Sequence, residues 1–423
     1  FAVKSGGTAE LYLRPFLYRI RYEIGTKIFY LSQRGAWFRF IKTIVFITLI
    51  CIDSTKIKIN LFKKERLIMK LFIPGPVTVQ PDVLEKMTTQ MIGHRSNDAS
   101  VLQERISDNM RRLWNTSEMI LLSTSSGSGL MEAAVRSCTA KKAAIFSVGA
   151  FGKRWYDMAV RNNVPADLYA SEWGEITTAE EVDKVLKTGK YDLVTITHNE
   201  TSTGVTNPLA EIAEVIKKYP DVIFCADTVS SSAGVKFDVD VLGIDIIITS
   251  SQKCLGLPPG IAICNFSQKA VERAKKVENR GFYLDLLSLY NYILKKNYQY
   301  PSTPVLPLMF GLDYKLEQIL NVEGAENRYE RHKKMAERVR DWAQNNFELF
   351  AKEGYASDTV TAITNTRGID VKALNKELGK RGMQISNGYG DLKDKTFRIA
   401  HMADTQMEDI EELLRNIDDI LNL

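Results

Sequence analysis

From Met69 onward, short and nearly continuous apolar runs alternate with amphipathic stretches. Ala179–Lys187 has helical spacing and precedes the run Leu193–Thr197; Pro208–Lys218, with proline at a first helical position, precedes Val222–Ala226; Ile244–Thr249 is a third run. Runs of about five residues that do not alternate with polar ones have no wet face. They predict strands buried on both sides and joined by helices, hence βαβ units and a parallel sheet. Upstream, Met119–Leu122 predicts a further strand and Leu130–Ser137 a helix. After Pro304 the texture changes to long helical periods, Pro307–Ile319 and Ala325–Asn345, and then to a smaller alternation ending in Glu408–Ile420. The expected architecture is α/β, with a large domain over 69–320 built on a mainly parallel sheet and a smaller C-terminal α/β domain over 321–423.

Composition narrows the class. Of 423 residues, 45% are apolar and 25% charged, which excludes a disordered chain, a collagen-like repeat and a polytopic membrane protein. The net charge of +5 is unevenly spread: residues 1–68 hold 13 basic and 4 acidic residues, whereas 69–423 hold 43 and 47. The globular part is mildly acidic, so no nucleic-acid partner is expected. The apolar run Thr43–Ile52 is half the length of about 20 residues that a spanning helix needs, and its upstream extension meets Lys42 and Arg39. No membrane partner is expected either. Residues 1–68 read as a basic leader outside the catalytic body, and a chain begun at Met69 is expected to fold and work. Five cysteines (Cys51, Cys138, Cys225, Cys254, Cys264) are odd in number and show no CxxC pair, which suits a reduced, cytoplasmic setting. His94, His198, His332 and His401 are dispersed without metal-ligand spacing, so no metal site is expected.

Open parallel sheets bind ligands beyond the carboxyl ends of their strands. There the chain places His198-Asn-Glu-Thr-Ser-Thr-Gly204, Asp227, and Ser250-Ser-Gln-Lys253, with Ser123-Thr-Ser-Ser-Gly-Ser-Gly129 between a strand and a helix. Small residues at a helix start let a phosphate approach unpaired N–H groups; the same stretch can be only a turn. Lys253 can be a solvated loop lysine, or, between an apolar strand and the stiff Cys254-Leu-Gly-Leu-Pro-Pro-Gly260, a desolvated amine reactive toward carbonyls. Asp227 can cap a helix or hold a protonated ring nitrogen. A nucleophilic lysine, a phosphate cradle and an acid together are what pyridoxal 5'-phosphate requires.

Ser251-Gln-Lys-Cys-Leu-Gly-Leu-Pro-Pro-Gly260, together with His198–Val205, Asp227-Thr-Val-Ser-Ser231 and Gly93-His-Arg-Ser96, resembles the class V aminotransferases, specifically the alanine-glyoxylate and serine-pyruvate aminotransferase group. The likeness runs from about Met69 to Leu423 and implies the fold type I of pyridoxal-phosphate transferases. It further implies that Lys253 forms the Schiff base and shuttles the proton, while Asp227 pairs with the pyridine nitrogen. Ser128, Gly129 and Leu130 would hold the phosphate through backbone N–H groups beside Gln252. Thr201 would reach the ring hydroxyl, Phe151 stack on the ring, and Arg398 grip the substrate carboxylate. A homodimer is implied, with Tyr300 and Thr303 reaching the phosphate of the neighbouring subunit; Tyr300-Pro-Ser-Thr303 can also be a plain surface turn. Ala233 and Ala400 stand where many members carry Gly.

The expected activity is transfer of an amino group from an amino acid (alanine or serine) to a 2-oxo acid (glyoxylate or pyruvate). Alternatives are aminophosphonate or phosphoserine transamination and a lyase of the same fold. A desulfurase would need a late nucleophilic cysteine, and none follows Cys264. A non-catalytic scaffold tethered by the leader is the reading from another class.

Overall fold

The computed structural model describes residues 69–423; the leader, with Thr43–Ile52 and Cys51, lies outside the described residues. The larger sheet has seven strands in the order Met119–Ser123, Ala262–Phe266, Ile246–Ser250, Ile223–Asp227, Leu193–Thr197, Ala143–Ser147 and Ala166–Ala170. Ala262–Phe266 is antiparallel to both of its neighbours, and the remaining pairs are parallel. Two successive antiparallel pairings restore the direction, so Met119–Ser123 points its carboxyl end to the same rim as Ile246–Ser250.

The apolar runs form strands because both of their faces are covered. Along Ile223–Asp227, Ile223 and Cys225 enter one core cluster while Phe224 and Ala226 enter the other. Each fully buried aliphatic or aromatic side chain contributes about 1.5–3 kcal/mol, which leaves no place for a polar residue until the strand end. Two ends differ from the sequence expectation. Asp227 closes its strand within the ladder, opposite Thr197 and Ile248. The strand expected from Ile244 starts at Ile246, because the Asp245 carboxylate accepts the Phe224 N–H at 2.8 Å and the Ser267 hydroxyl at 2.7 Å.

A second sheet of five strands takes Glu348–Leu349, Val360–Thr364, Thr396–Ala400 and Met383–Asn387 from the C-terminal part, and Lys70–Phe72 from the other end of the described chain. Lys70–Phe72 runs parallel to Met383–Asn387 and buries Phe72 in the C-terminal core. A three-residue strand has no periodicity to announce it, so its place was not legible. Its consequence reaches the chemistry, since the chain must return from this sheet through Ile73-Pro-Gly-Pro76 to the larger body.

The helices Ala325–Asn346 and Met407–Leu421 match expectation closely, whereas Leu306–Glu317 runs into a π-helical turn at Gln318–Glu323 before Gly324 turns the chain. Ala233 holds a left-handed φ of 68°, the conformation that glycine adopts without strain; its carbonyl accepts the Arg328 Nε–H at 3.0 Å. Ala400 is buried within its strand. Among the described residues no helix is long and apolar enough to cross a membrane, and no three His, Cys, Asp or Glu side chains gather to hold a metal.

Candidate active site

Five strands deliver side chains to one rim. Ile246–Ser250 leads into a tight loop in which the Leu257 N–H donates to the Ser251 carbonyl and the Gly256 N–H to that of Lys253. The loop turns Lys253 inward, leaving it 8% exposed, with Nζ donating to the Pro74 carbonyl. Burial lowers the amine to about pKa 8; the guanidinium groups of Arg398 and Arg154 add to the fall, and Asp227 opposes it. An amine in this range is a base and a nucleophile near neutral pH.

Asp227, 4% exposed, accepts the Val229 N–H at 2.9 Å. Burial pushes its carboxyl up to about 6; the Val229 N–H acts against this, the Glu200 charge adds to it, and the Trp155 indole and Lys253 counter it. Trp155 Nε1 is itself buried without a partner in hydrogen-bonding geometry. A carboxylate so placed gains from any cation that enters beside it.

The helix after the strand Met119–Ser123 starts earlier than expected. It begins at Gly127, not Leu130, with Ser126 as N-cap. The N–H groups left open by a helix are those of its first residues, here Gly127 and Ser128. The Gly129 N–H already donates to the Ser126 carbonyl at 2.8 Å. A Cβ on Gly127 would lie 2.7 Å from Val229 Cγ2, so only glycine lets this turn pack against the segment after Asp227. Gln252 flanks Lys253 and receives the Ser250 hydroxyl at 2.5 Å.

Phe151 sits in the first turn of Ala150–Arg161. Glu200, fully buried and not singled out from the sequence, fixes that turn. Its Oε2 accepts the N–H groups of Phe151 and Gly152, both at 3.0 Å, and its Oε1 accepts the Ser202 N–H and hydroxyl at 3.0 and 2.6 Å. A carboxylate at a helix N-terminus satisfies open donors and the dipole together. An acid in the middle of His198–Gly204 gives no sequence signal for this, because its helix lies about 50 residues away.

Arg398 lies within the strand Thr396–Ala400 with its guanidinium turned inward. It is 6% exposed; Nη1 donates to the Thr201 carbonyl at 3.0 Å, and Nε and Nη2 donate to the Asn387 carbonyl at 3.1 and 2.9 Å. Burial lowers its pKa to about 10, so it remains a cation. Thr201, whose carbonyl helps hold it, donates its hydroxyl to Ser230 Oγ at 3.0 Å. Tyr300 and Thr303 separate. The Tyr300 hydroxyl accepts the N–H of Thr124 in the same chain at 3.0 Å, and Arg95 holds the Tyr300, Pro301 and Ser302 carbonyls. Within one chain the Tyr300 hydroxyl thus braces the end of the strand Met119–Ser123, and Thr303 is exposed. Ser96, from the motif Gly93-His-Arg-Ser96, caps the helix Asn97–Trp114.

One wall was invisible in the sequence. Gly75 has a φ of 90°, and a Cβ there would lie 2.7 and 2.9 Å from Lys253 Cδ and Cε. Gly75→Ala is expected to displace the Lys253 stem and lower kcat at least about tenfold, since an ångström of misplacement costs up to about a hundredfold. Steady-state kinetics beside a circular dichroism spectrum checks this, and wild-type kcat in a folded variant would contradict the contact.

The donor set suits an aldehyde cofactor with a phosphate tail: a buried amine of lowered pKa, an acid of raised pKa, a glycine-lined helix start and an aromatic face. A family model described as Aminotransferase class-V matches residues 80–413. The chain is 39% identical over 341 residues to an uncharacterized aminotransferase of Methanocaldococcus jannaschii, covering 79% of this chain and 87% of that one. It is 32% identical to a serine–glyoxylate aminotransferase of Methylorubrum extorquens, covering 79% and 86%. The crystal structure of an alanine–glyoxylate aminotransferase from Nostoc sp. superimposes with a TM-score of 0.78 at 27% identity, covering 84% and 95%.

Proposed function

The chain belongs to the class V aminotransferases, and on that premise we propose that it uses pyridoxal 5'-phosphate to move the amino group of a small amino acid, alanine or serine, to glyoxylate or pyruvate. The observation that carries this reading is the pairing of a buried Lys253 amine near pKa 8 with a buried Asp227 carboxyl near 6 at one sheet rim. When bound, the cofactor supplies an electron sink and a carbonyl that takes up the amine.

The chain's residues then have defined tasks. The open N–H groups of Gly127 and Ser128 bind the phosphate, with Gln252 beside them. Phe151, fixed through Glu200, would stack on the ring, and Thr201 would turn its hydroxyl from Ser230 Oγ to the ring oxygen. Asp227 keeps its charge against the ring nitrogen. Arg398, aimed by two backbone carbonyls, takes the substrate carboxylate on its remaining N–H groups. Lys253 Nζ accepts the proton from the substrate α-carbon and returns it across the transfer, while Pro74 and Gly75 wall its stem. We also propose a homodimer, in which Tyr300 and the exposed Thr303 offer hydroxyls to the phosphate of the neighbouring subunit. A desulfurase is disfavoured because the last cysteine, Cys264, is buried within a strand.

The test is a half-reaction. Alanine or serine added to holoenzyme without acceptor is expected to yield one equivalent of 2-oxo acid per subunit and then stop. Continued turnover without acceptor would indicate a lyase, and no product from any amino acid would remove the proposal.

A further inference from the structure

Arg154 is a cation that the tasks above leave unused. Three residues beyond Phe151 on the same helix, its guanidinium carbon lies 4.6 Å from the Phe151 ring centre. Nη1 donates to Ser128 Oγ at 3.3 Å and Nη2 to the Tyr389 hydroxyl at 3.1 Å. Both acceptors are neutral, and among the described residues no carboxylate pairs with Arg154. Glu200, the buried acid that fixes the start of the same helix, is spent on the N–H groups of Phe151, Gly152 and Ser202. Tyr389, between Gly388 and Gly390, tilts onto Phe151 at 5.4 Å and carries Arg398 over its ring at 5.7 Å. Two guanidinium groups thus touch one tyrosine, Arg398 at the ring face and Arg154 at the hydroxyl. A half-buried cation without a counter-charge is stabilised by an anion brought to it, and a guanidinium fork suits carboxylate and phosphate alike.

We propose that Arg154 is a second anion-binding group of the substrate site, which admits amino donors bearing a short anionic side chain in addition to neutral ones. The α-carboxylate is held by Arg398, and the side-chain anion displaces the Tyr389 hydroxyl from Arg154. This rests on the transaminase reading and adds the substrate class. The competing anion is the cofactor phosphate, which the proposed function assigns to the helix start at Ser128; the link through Tyr389 to Arg398 favours the substrate.

The experiment compares half-reactions of holoenzyme with alanine, L-aspartate and O-phospho-L-serine, in wild type and in Arg154→Met. Wild type is expected to convert at least one acidic donor. In Arg154→Met the ratio of its kcat/KM to that for alanine should fall about 10–100-fold, mainly through KM. A fall for aspartate alone identifies a carboxylate, and a fall for phosphoserine alone a phosphate. A second measurement needs no variant: succinate should inhibit the wild-type alanine half-reaction at least about tenfold more strongly than butyrate. Alanine turnover without either acidic donor, or succinate and butyrate inhibiting equally, overturns this inference and leaves the transaminase standing. Loss of cofactor from Arg154→Met with an unmoved donor ratio assigns Arg154 to the cofactor phosphate and overturns it too. No reaction with any donor removes the transaminase reading itself.

Discussion

Lys253→Ala is expected to lower kcat by about 10⁴-fold or more while the protein stays folded. Positioned proton transfer alone contributes about 10²–10⁴, and this variant also removes the nucleophile that anchors the cofactor. No neighbour can substitute. The His198 ring is pushed down to about 4 by burial and is bonded to Ser231 Oγ at 2.9 Å, so it stands committed to the framework. The fold should tolerate the loss for an electrostatic reason. With a folded pKa near 8, below the 10.5 of a free lysine, Lys253 costs stability at neutral pH, and that cost fades only as pH rises from about 8 toward 10.5. Removing the amine relieves the cost and offsets the lost packing of its stem, so Tm of the cofactor-free variant at pH 7 should lie close to wild type. Activity within tenfold of wild type would contradict the role of Lys253.

Asp227→Asn is expected to lower kcat by about 10²–10³, the range for one preorganised electrostatic partner of a transition state, with little change in KM. Its pH signature separates it from a packing defect. The carboxyl is near 6 in the folded chain against 3.8 for the free group, so the cofactor-free protein loses stability as pH rises from about 4 to 6 and is level above that. The drop is about 3 kcal/mol, from 1.36 kcal/mol per unit. The asparagine variant should lack this slope. For the same reason, wild type should bind the cofactor more weakly below about pH 6, where Asp227 takes up a proton, and the variant should bind it equally at pH 5 and 7. Parallel pH profiles in the two proteins would contradict the assignment.

What the sequence made legible follows from range. Strands Leu193–Thr197 and Ile223–Asp227 were readable because a strand buried on two faces must be apolar nearly throughout, and Asp227 and Lys253 because polar residues that close or follow such strands stand at the rim. The missed features all depend on distant partners. Lys70–Phe72 is defined only by Met383–Asn387, Gly75 only by the Lys253 stem, Glu200 only by a helix start 49 residues earlier, and Arg154 only by a tyrosine 235 residues on. Gly-Ser-Gly has poor helix propensity, so the sequence predicts a helix from Leu130, whereas the helix begins at Gly127.

The most direct measurement is borohydride reduction of the holoenzyme followed by peptide mapping. The account predicts that the cofactor becomes fixed to a single site, on the peptide containing Lys253, at one equivalent per subunit, and that prior incubation with an amino donor abolishes the labelling. Cofactor fixed to another lysine, or none fixed despite a bound equivalent, would contradict it.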